Sequence, residues 1–401
     1  MKEYVAALPN GGQIKYIDKK RWFWTLSLPY ALLPFAGIIP HALTGNEWWF
    51  GLPLLLTYVA GPTLDWILGE DRNNPPQEII SQLEQDHYYR RLTYVCVPLH
   101  FVSLLGAAAY AGTQELSVGG FAALALITGL ASGLAINTAH ELGHKNSRIE
   151  KLLAKIALAV PAYGHFTVDH NLGHHRNVST PTDPASSRMG ESIYKFARRE
   201  LPGAWIEAWA LEKDRLGRRG KPVFHPNNQI LHSYAITALL VVLLVVAFGW
   251  LMVPFLLLHY VFAWWQLTSA NYVEHYGLLR HRDDSGKYER CEPHHSWNSN
   301  HIYSNLVLLH LERHSDHHTH PTRRYQSLRH YEDLPSLPSG YFGTYLLAYV
   351  PKLWFRVMDK RLLALPQVDG DLDRVNIDPD ARPSLFLRYG RDKMNEPTIV
   401  L

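Results

Sequence analysis

Histidine is the residue type whose number and spacing point to chemistry in this chain. The 401 residues include 23 histidines, and nine of these form three helically spaced groups plus one isolated position, namely His140 and His144; His170, His174 and His175; His314, His317 and His318; and His275. Residues three or four apart share a helix face, so each group can direct its imidazoles toward one point. Nine nitrogens exceed what a single ion takes, so the spacing predicts two bound metal ions.

The spacing leaves the identity of the metal open, because imidazole suits zinc, copper, iron and nickel alike. Four acidic residues each adjoin a predicted ligand and could orient its ring or add an oxygen ligand, namely Glu141, Asp169, Glu274 and Asp316. The other histidines lack such grouping and are left outside the ligand set. The only cysteines, Cys96 and Cys291, are too few to hold an iron–sulfur cluster. If the chemistry is redox, electrons must therefore come from a partner protein.

Long apolar segments must position these histidines. Hydrophobic residues make up 47% of the chain and charged residues 19%, and six segments are long enough to cross a membrane, namely 22–43, 48–68, 93–112, 118–139, 231–250 and 252–271. Lysine and arginine are absent from the short connectors and abundant in the tails and long polar segments. The positive-inside rule therefore places both termini and the histidine groups in the cytoplasm.

The sequence thus predicts an all-α integral membrane protein with six transmembrane helices and a cytoplasmic, histidine-rich catalytic cap. A single catalytic domain, residues 22–365, lies between an N-terminal tail, 1–21, and a C-terminal tail, 366–401, both cytoplasmic. The net charge of +3 without long runs of one sign does not suggest nucleic acid as a partner.

Two other functions fit part of the pattern. His140-Glu-Leu-Gly-His144 matches the HExxH signature of zinc metalloproteases, in which Glu141 would be the general base. That reading of the segment leaves six of the nine histidines unexplained. A membrane metal carrier would need charged residues along its spans, and only Asp65 qualifies.

The sequence around the histidines resembles that of a known group of enzymes. Boxes of the form HxxxH, HxxxHH and HxxHH on a helical membrane protein are similar to those of the membrane di-iron oxygenases and desaturases. Within that group the chain is similar to the bacterial alkane 1-monooxygenases over about residues 20–365, in the segments His140-ELGHK-Asn146, His170-NLGHH, Asp183-PASSRMGESIY-Lys195, Asn271-YVEHYGLLR and Leu311-ERHSDHHTHP. Asp169 stands where the family pattern has glutamate.

This resemblance implies a non-haem di-iron enzyme of the bacterial inner membrane, with the nine histidines as iron ligands. It would use O₂ and two electrons to hydroxylate the terminal carbon of a medium-chain n-alkane. The resemblance further implies rubredoxin as the electron donor, reduced in turn by an NAD(P)H-dependent reductase. Related fatty-acid hydroxylases, desaturases and xylene-type hydroxylases share the metal site and stay open as alternatives.

Two further sets of residues are interpreted from position alone. Basic residues between the histidine boxes could dock an acidic electron donor, or could be ordinary positive-inside charge; these are Arg198, Arg199, Lys213, Arg215, Arg218, Arg219 and Lys221. Leu55 and Tyr58 are three residues apart in the second apolar segment and would share a helix face. They are candidates to line an alkane slot, unless that face meets lipid or a neighbouring helix.

Overall fold

The computed structural model describes residues 1–390, which are predominantly helical. The N-terminal half contains a hairpin of strands β1 (Lys2–Ala7) and β2 (Gln13–Asp18), followed by helices α1 (Ser27–Ala31), α2 (Phe35–Thr44), α3 (Glu47–Leu68), α4 (Gln77–Gln85), α5 (His87–Thr113), α6 (Val118–Gly143) and α7 (Arg148–Ala159). A short helical segment then comprises α8 (Phe166–Asp169), a π turn (His170–His174) and α9 (His175–Asn177).

The C-terminal half contains three long helices and several short ones. These are α10 (Ile193–Gly217), α11 (Gln229–Phe248), α12 (Met252–His275), α13 (Ile302–Val307), α14 (His314–Thr319), α15 (Tyr341–Ala348), α16 (Pro351–Leu363) and α17 (Arg382–Tyr389). Single 3₁₀ turns lie at Phe23–Leu26, Pro293–His295, Tyr325–Ser327 and Leu372–Arg374.

All six predicted apolar segments contain helix, but within residues 1–390 only four helices are by themselves long and apolar enough to cross a membrane. These four are α3, α5, α6 and α11. A fifth candidate is the pair Phe23–Ala31 and Phe35–Thr44, whose two helices meet at an angle of 56°. Pro34 lies at this break and cannot donate the backbone hydrogen bond that a continuous helix needs. The structure therefore supports four or five spans, and the sixth stays a prediction.

Helix α12 corresponds to the sixth predicted segment and is less apolar than the other four. It carries polar side chains such as His259, Gln266 and Thr268, and its residues from Thr268 to His275 are all buried. A helix enclosed by protein does not need the lipid-facing apolar side chains that mark a span. The enclosed C-terminal half accounts for most of the polar residues, whereas Leu257 and Val261 in the N-terminal half are exposed.

Helices α6 and α12 pack closely along each other and form this centre. A Cβ atom on Gly129 would lie 2.5 Å from the His259 carbonyl oxygen, and one on Gly133 would lie 2.6 Å from Gln266 Cβ. Glycine spaced four residues apart lets two membrane helices approach at backbone distance. Because both helices end in predicted ligands, their packing sets the distance between His140 and His275.

The segments predicted as tails pack against the rest of the protein where they are described. The N-terminal strands form a short hairpin, a departure from a purely α fold, and Tyr89 of α5 donates a hydrogen bond to Asp18 at its end. At the other end, Val368, Leu372 and Val375 are buried in the main hydrophobic cluster. Residues 391–401 of the predicted C-terminal tail lie outside the described residues.

Candidate metal centre and active site

The structure brings all nine predicted histidines together, in two groups. The first contains five residues, His140, His144, His170, His175 and His317, and the second contains four, His174, His275, His314 and His318. Within each group the ring nitrogens lie within 4.8 Å of one another. Two separate clusters of imidazole nitrogen agree with the prediction of two ions, while the assignment of each residue as a ligand stays a prediction.

The ring nitrogens point at one another within each group. In the first group, His317 Nε2 lies 2.9 Å from His140 Nε2 and 3.1 Å from His175 Nε2. In the second, His314 Nε2 lies 2.9 Å from His318 Nε2 and 3.2 Å from His275 Nε2. A neutral imidazole has one lone pair and one proton, so three converging nitrogens cannot all be satisfied by mutual hydrogen bonds. A cation at the point where they converge would satisfy them.

Two buried ring nitrogens without partners support the same conclusion. His144 Nε2 in the first group and His174 Nε2 in the second make no hydrogen bond in the structure. Buried polar atoms are rarely left unpaired, and each unpaired one calls for a ligand or water. The donor set therefore fits two metal ions, each held mainly by neutral nitrogen.

Local helix geometry explains how the histidines are divided. His140 and His144 share a face at the end of α6, and His314 and His318 share a face of α14, so each pair stays in one group. His317 precedes His318 by one residue and therefore points to the other group. His170 and His174 begin and end a π turn, and this pair is split between the groups. A π turn is wider than an α turn and occurs often at functional sites.

Burial keeps most of these rings in the form that binds metal. Burial lowers the pKa of His144, His170, His175, His314, His317 and His318 well below the usual value, and the neighbouring rings lower it further. They are neutral at physiological pH, as a nitrogen ligand must be. His174 differs, because the Asp183 carboxylate outweighs the effect of burial and raises its pKa.

Asp183 is a functional residue that the sequence analysis quoted within a motif without giving it a role. Its Oδ2 lies 2.8 Å from His174 Nδ1 and also accepts a hydrogen bond from Ser186 Oγ. Burial alone would raise the pKa of Asp183, but His174 holds it below its usual value. A carboxylate on Nδ1 fixes the ring so that Nε2 faces the metal position. Asp183 lies in a loop nine residues after His174, so helical spacing in the sequence does not predict that the two side chains meet.

A narrow cavity of about 60 Å³ reaches from the two histidine groups into the helix bundle. His140 and His170 of the first group and His314 of the second lie at one end of it, together with Glu274. The walls are mostly apolar and are formed by Tyr30, Thr57, Leu130, Gly133, Leu134, Ile136, Phe166, Leu267, Ala270, Leu308, Leu311, Phe342 and Tyr345, with polar Asn137, Gln266 and Asn271. From His140 to Leu130 the wall extends about 15 Å along α6.

Comparison with known proteins identifies the family. The family model described as fatty acid desaturase matches residues 117–348. The alkane 1-monooxygenase of Ectopseudomonas oleovorans is 52% identical over 377 residues, which cover 94% of this chain and 93% of that protein. The alkane 1-monooxygenase of Pseudomonas putida is 51% identical over 376 residues, covering 94% and 93%, and alkane 1-monooxygenase 1 of Alcanivorax borkumensis is 50% identical, covering 94% and 92%. The chain belongs to the alkane 1-monooxygenase family.

Membership of the alkane 1-monooxygenase family makes the chain a membrane oxidoreductase and not a zinc protease. The structure agrees, since His140 and His144 share their group with three further histidines. Glu141, the general base of the protease hypothesis, lies 3.0 Å from Lys145 Nζ and does not line the cavity. It is held in an internal ion pair and is not placed to activate a water there.

The other acidic neighbours of the ligands differ in position. Glu274 lines the cavity, its Oε2 lies 3.4 Å from His314 Nε2, and its Oε1 accepts a hydrogen bond from Tyr341. Asp169 is buried with Oδ1 unpartnered and has no hydrogen bond to a ligand ring. Asp316 faces away from the centre and binds Arg323 and Tyr331. Of the four predicted carboxylates, only Glu274 therefore approaches a ring nitrogen of a predicted ligand; Asp316 contacts the ring of His320, which is outside the ligand set.

The histidines left out of the ligand set have other partners. His41 binds Tyr110, His100 binds Thr138 and His259 binds Ser132, all inside the helix bundle. A third possible metal group, Glu289, His294 and His295, lies on the polar segment after α12. There His295 Nδ1 accepts the backbone N–H of Glu292, so its Nε2 carries the proton and points at Glu289. This tautomer disfavours a metal at Nε2.

Asp65, the acidic residue of the second apolar segment, has a structural role. It is fully buried near the C-terminal end of α3, and its Oδ1 accepts the backbone N–H of Ser304 in the first turn of α13. A carboxylate is favoured at a helix N-terminus, where backbone N–H groups are unpaired. Asp65 thereby joins α3 to the segment that leads into the third histidine box.

The two predicted slot residues do not line the cavity. Leu55 is 57% exposed on the outside of the bundle, whereas Tyr58 is half-buried and donates a hydrogen bond to Gln266, which does line it. The residue of α3 that reaches the cavity is Thr57. Leu55 therefore faces outward, the alternative that the sequence left open for this helix face, and the slot assignment itself stays a prediction.

The predicted docking residues lie on α10 and in the loop after it, but they are not equivalent. Arg199 pairs with Glu191 at 2.8 Å, and Arg215 pairs with Glu212 at 2.6 Å, so both are engaged within the protein. Arg198, Lys213, Arg218 and Arg219 are exposed, and Lys221 is half-buried. A docking role for this segment stays a prediction that rests on the exposed members.

Proposed function

We propose that the chain is a di-iron monooxygenase that hydroxylates the terminal carbon of medium-chain n-alkanes with O₂ and electrons from rubredoxin. The observation that carries this proposal is the juxtaposition of two buried histidine groups with one end of an apolar cavity. The names of the relatives indicate the substrate class, and the cavity is suited to a substrate without polar groups. A fatty-acid hydroxylase or desaturase remains the second candidate, since such an enzyme would use a similar metal site.

The proposed substrate fits the physical character of the cavity. An alkane can be bound only by burying its CH₂ groups, each worth about 0.8 kcal/mol, so eight carbons contribute on the order of 6 kcal/mol before the entropy cost. Leu130, Leu134, Phe166 and Phe342 supply apolar walls for this contact. The cavity ends at His140, His170 and His314, so a chain that enters end-on presents its terminal carbon to both histidine groups.

We further propose iron in both groups, five histidines holding one ion and four holding the other. Iron bound there would supply the change of valence that reduction of O₂ requires, which zinc cannot. The protein's own contribution is to hold the ring nitrogens, to orient His174 through Asp183, and to keep water from the reacting carbon with the apolar wall. Glu274, between the cavity and His314, is placed to contact whatever occupies that end.

The proposed location is the bacterial inner membrane, with both termini and the active site in the cytoplasm and six spans. The distribution of Lys and Arg supports this orientation. All nine histidines also lie at the same end of the bundle, at the C-terminal ends of α6 and α12. In this arrangement an alkane arrives from the lipid while rubredoxin delivers electrons from the cytosol.

Metal and product analysis of one preparation tests the function. Protein purified in mild detergent should contain close to two iron ions per chain at full occupancy. Incubated with n-octane, O₂, rubredoxin, its reductase and NAD(P)H, it should form 1-octanol. A single stoichiometric zinc without iron would refute the oxygenase, and mostly internal alcohols would refute end-on binding. Oxidation of an acyl substrate in place of octane would favour the second candidate.

A further inference from the structure

The two histidine groups differ in their access to solvent. His144 and His175 of the five-histidine group are partly exposed, whereas all four members of the other group are buried. The cavity also reaches both groups, but through His140, His170 and His314, which are buried. His144 and His175 are therefore the members of the two groups that reach the protein surface.

The surface around these two rings is formed by the chain on either side of them. Asn146 and Arg148 follow His144, Leu172 lies within the second box and Arg176 follows that box; all four are exposed, with Leu172 at 44%. Asn171 Nδ2 donates a hydrogen bond to the Gly143 carbonyl, which holds the two segments side by side. An apolar side chain among exposed cations and an amide is a composition suited to a transient protein contact.

The charge of this surface is positive. Residues 144–152 and 171–177 contain one acidic residue, Glu150, which is buried and lies 2.8 Å from Arg324. Arg148 and Arg176 thus have no exposed acidic neighbour within their own segments. The acidic group that packs against the second box from α10 is Glu207, which is half-buried and accepts a hydrogen bond from Asn177, so the exposed charge of the surface is that of the two arginines. A partner that carries negative charge would be attracted to this face and would reach it faster at low ionic strength.

We propose that electrons enter the enzyme through the five-histidine group, at a docking surface formed by Asn146, Arg148, Leu172 and Arg176 around the rings of His144 and His175. The partner that fits is a small acidic protein that carries one electron. This inference rests on the proposed function. Hydroxylation of one C–H bond by O₂ gives one alcohol and one water and consumes two electrons and two protons, so a one-electron donor docks twice in each turnover and leaves oxidised each time.

The alternative docking surface is the exposed end of α10 with the loop after it. Arg218 and Arg219 lie there, eleven and twelve residues beyond Glu207, the residue of α10 that packs against Gly173 of the second histidine box. The part of α10 from Glu207 to its end at Gly217 is about 15 Å long, and both arginines follow that end. Electron transfer slows steeply with distance, so a donor docked at Arg218 is less favourably placed than one beside His175.

Two charge reversals of equal size distinguish the two surfaces. The first variant is Arg148→Glu with Arg176→Glu, and the second, the matched control, is Arg218→Glu with Arg219→Glu. Binding of oxidised, isotopically labelled rubredoxin is measured by NMR, as the broadening of its amide signals on addition of the enzyme, at low salt and at high salt. We expect the first variant to weaken binding about tenfold at low salt, with little difference from the unmodified protein at high salt. The control should bind normally.

Iron content and turnover complete the test. Both variants should contain as much iron as the unmodified enzyme, and only the first should show slower rubredoxin-driven hydroxylation. Weaker binding by the control alone, equal weakening by both variants, or no weakening by either would overturn the proposed surface. These outcomes are separate from failure of the proposed function, which would show as absence of 1-octanol from the unmodified enzyme.

Discussion

Asp183 Oδ2 lies 2.8 Å from His174 Nδ1, and within residues 1–390 this is the only hydrogen bond between a carboxylate and a ring of the nine predicted ligands. Both side chains are almost completely buried. The bond makes Asp183 the residue that orients the His174 ring. His174 ends the π turn and belongs to the four-histidine group. It also ties the loop after α9 to the metal centre.

Replacing Asp183 by Asn should weaken metal binding by the four-histidine group. The amide keeps the size of the side chain but removes the charge, and loss of such an outer partner lowers metal affinity by about 10–100-fold. Iron retained against increasing concentrations of a chelator measures the effect. Asp169→Asn is the matched control, because Asp169 is also buried but bonds no ring. Equal iron loss in both variants would contradict the role of Asp183.

Single histidine replacements should divide the nine residues as the structure does. His144→Ala should lower the iron of the five-histidine group first, and His318→Ala that of the four-histidine group, so each variant falls toward one iron per chain. Each should lose most hydroxylation. Elemental analysis with Mössbauer spectroscopy distinguishes which iron remains, and loss of the same iron from both variants would contradict the grouping.

Replacement of His259 tests the histidines assigned to structure. His259→Ala leaves Ser132 unpaired in the bundle and should cost about 1–3 kcal/mol of stability. Its iron content per folded chain and its product should be unchanged. The measurement is thermal unfolding in detergent followed by iron analysis of the folded fraction; iron loss equal to that of His318→Ala would make His259 part of the centre.

Thr57, and not Leu55, should influence the chain length of the alkane. Thr57 is buried and lines the cavity, so Thr57→Leu should narrow the cavity and shift the preferred n-alkane to shorter chains, at a cost of about 1–3 kcal/mol from overpacking. Leu55→Trp faces outward and should leave the preference as it is. Competition between n-alkanes of different length measures the chain-length preference. A shift of that preference in the Leu55 variant alone would support the prediction that Leu55 lines the alkane slot.

Glu200 should make the stability of the protein depend on pH. Burial raises its pKa from 4.5 to about 7, although Thr268 and Asn271 donate hydrogen bonds to it. The folded state therefore holds the proton more tightly, and this stabilisation is complete below pH 4.5 and is lost as the pH rises through 7. The loss amounts to about 3 kcal/mol.

Glu200→Gln removes this titration and keeps the size of the side chain. The difference in unfolding temperature, variant minus unmodified protein, should therefore rise between pH 5 and pH 8. Titration of all other groups cancels in that difference. A constant difference across this range would show that Glu200 has the same pKa in the folded and unfolded chains.

Local spacing determined much of this protein. The i, i+4 pairs His140 and His144, and His314 and His318, remain together because residues one turn apart on a regular helix share a face whatever surrounds them. The apolar segments predicted the long helices for a similar reason, since lipid and core both require continuous apolar surface. The number of histidines, compared with the ligands that one ion takes, already predicted two centres.

Tertiary structure alone decided how these parts combine. The π turn at His170–His174 divides a pair that regular helical spacing would keep together, and the packing of α3 against its neighbours turns Thr57, not Leu55, toward the cavity. Asp183 reaches His174 only because a loop folds back. Helical periodicity assumes a regular helix, so neither an added residue in a turn nor a contact across a loop leaves a signal in the spacing.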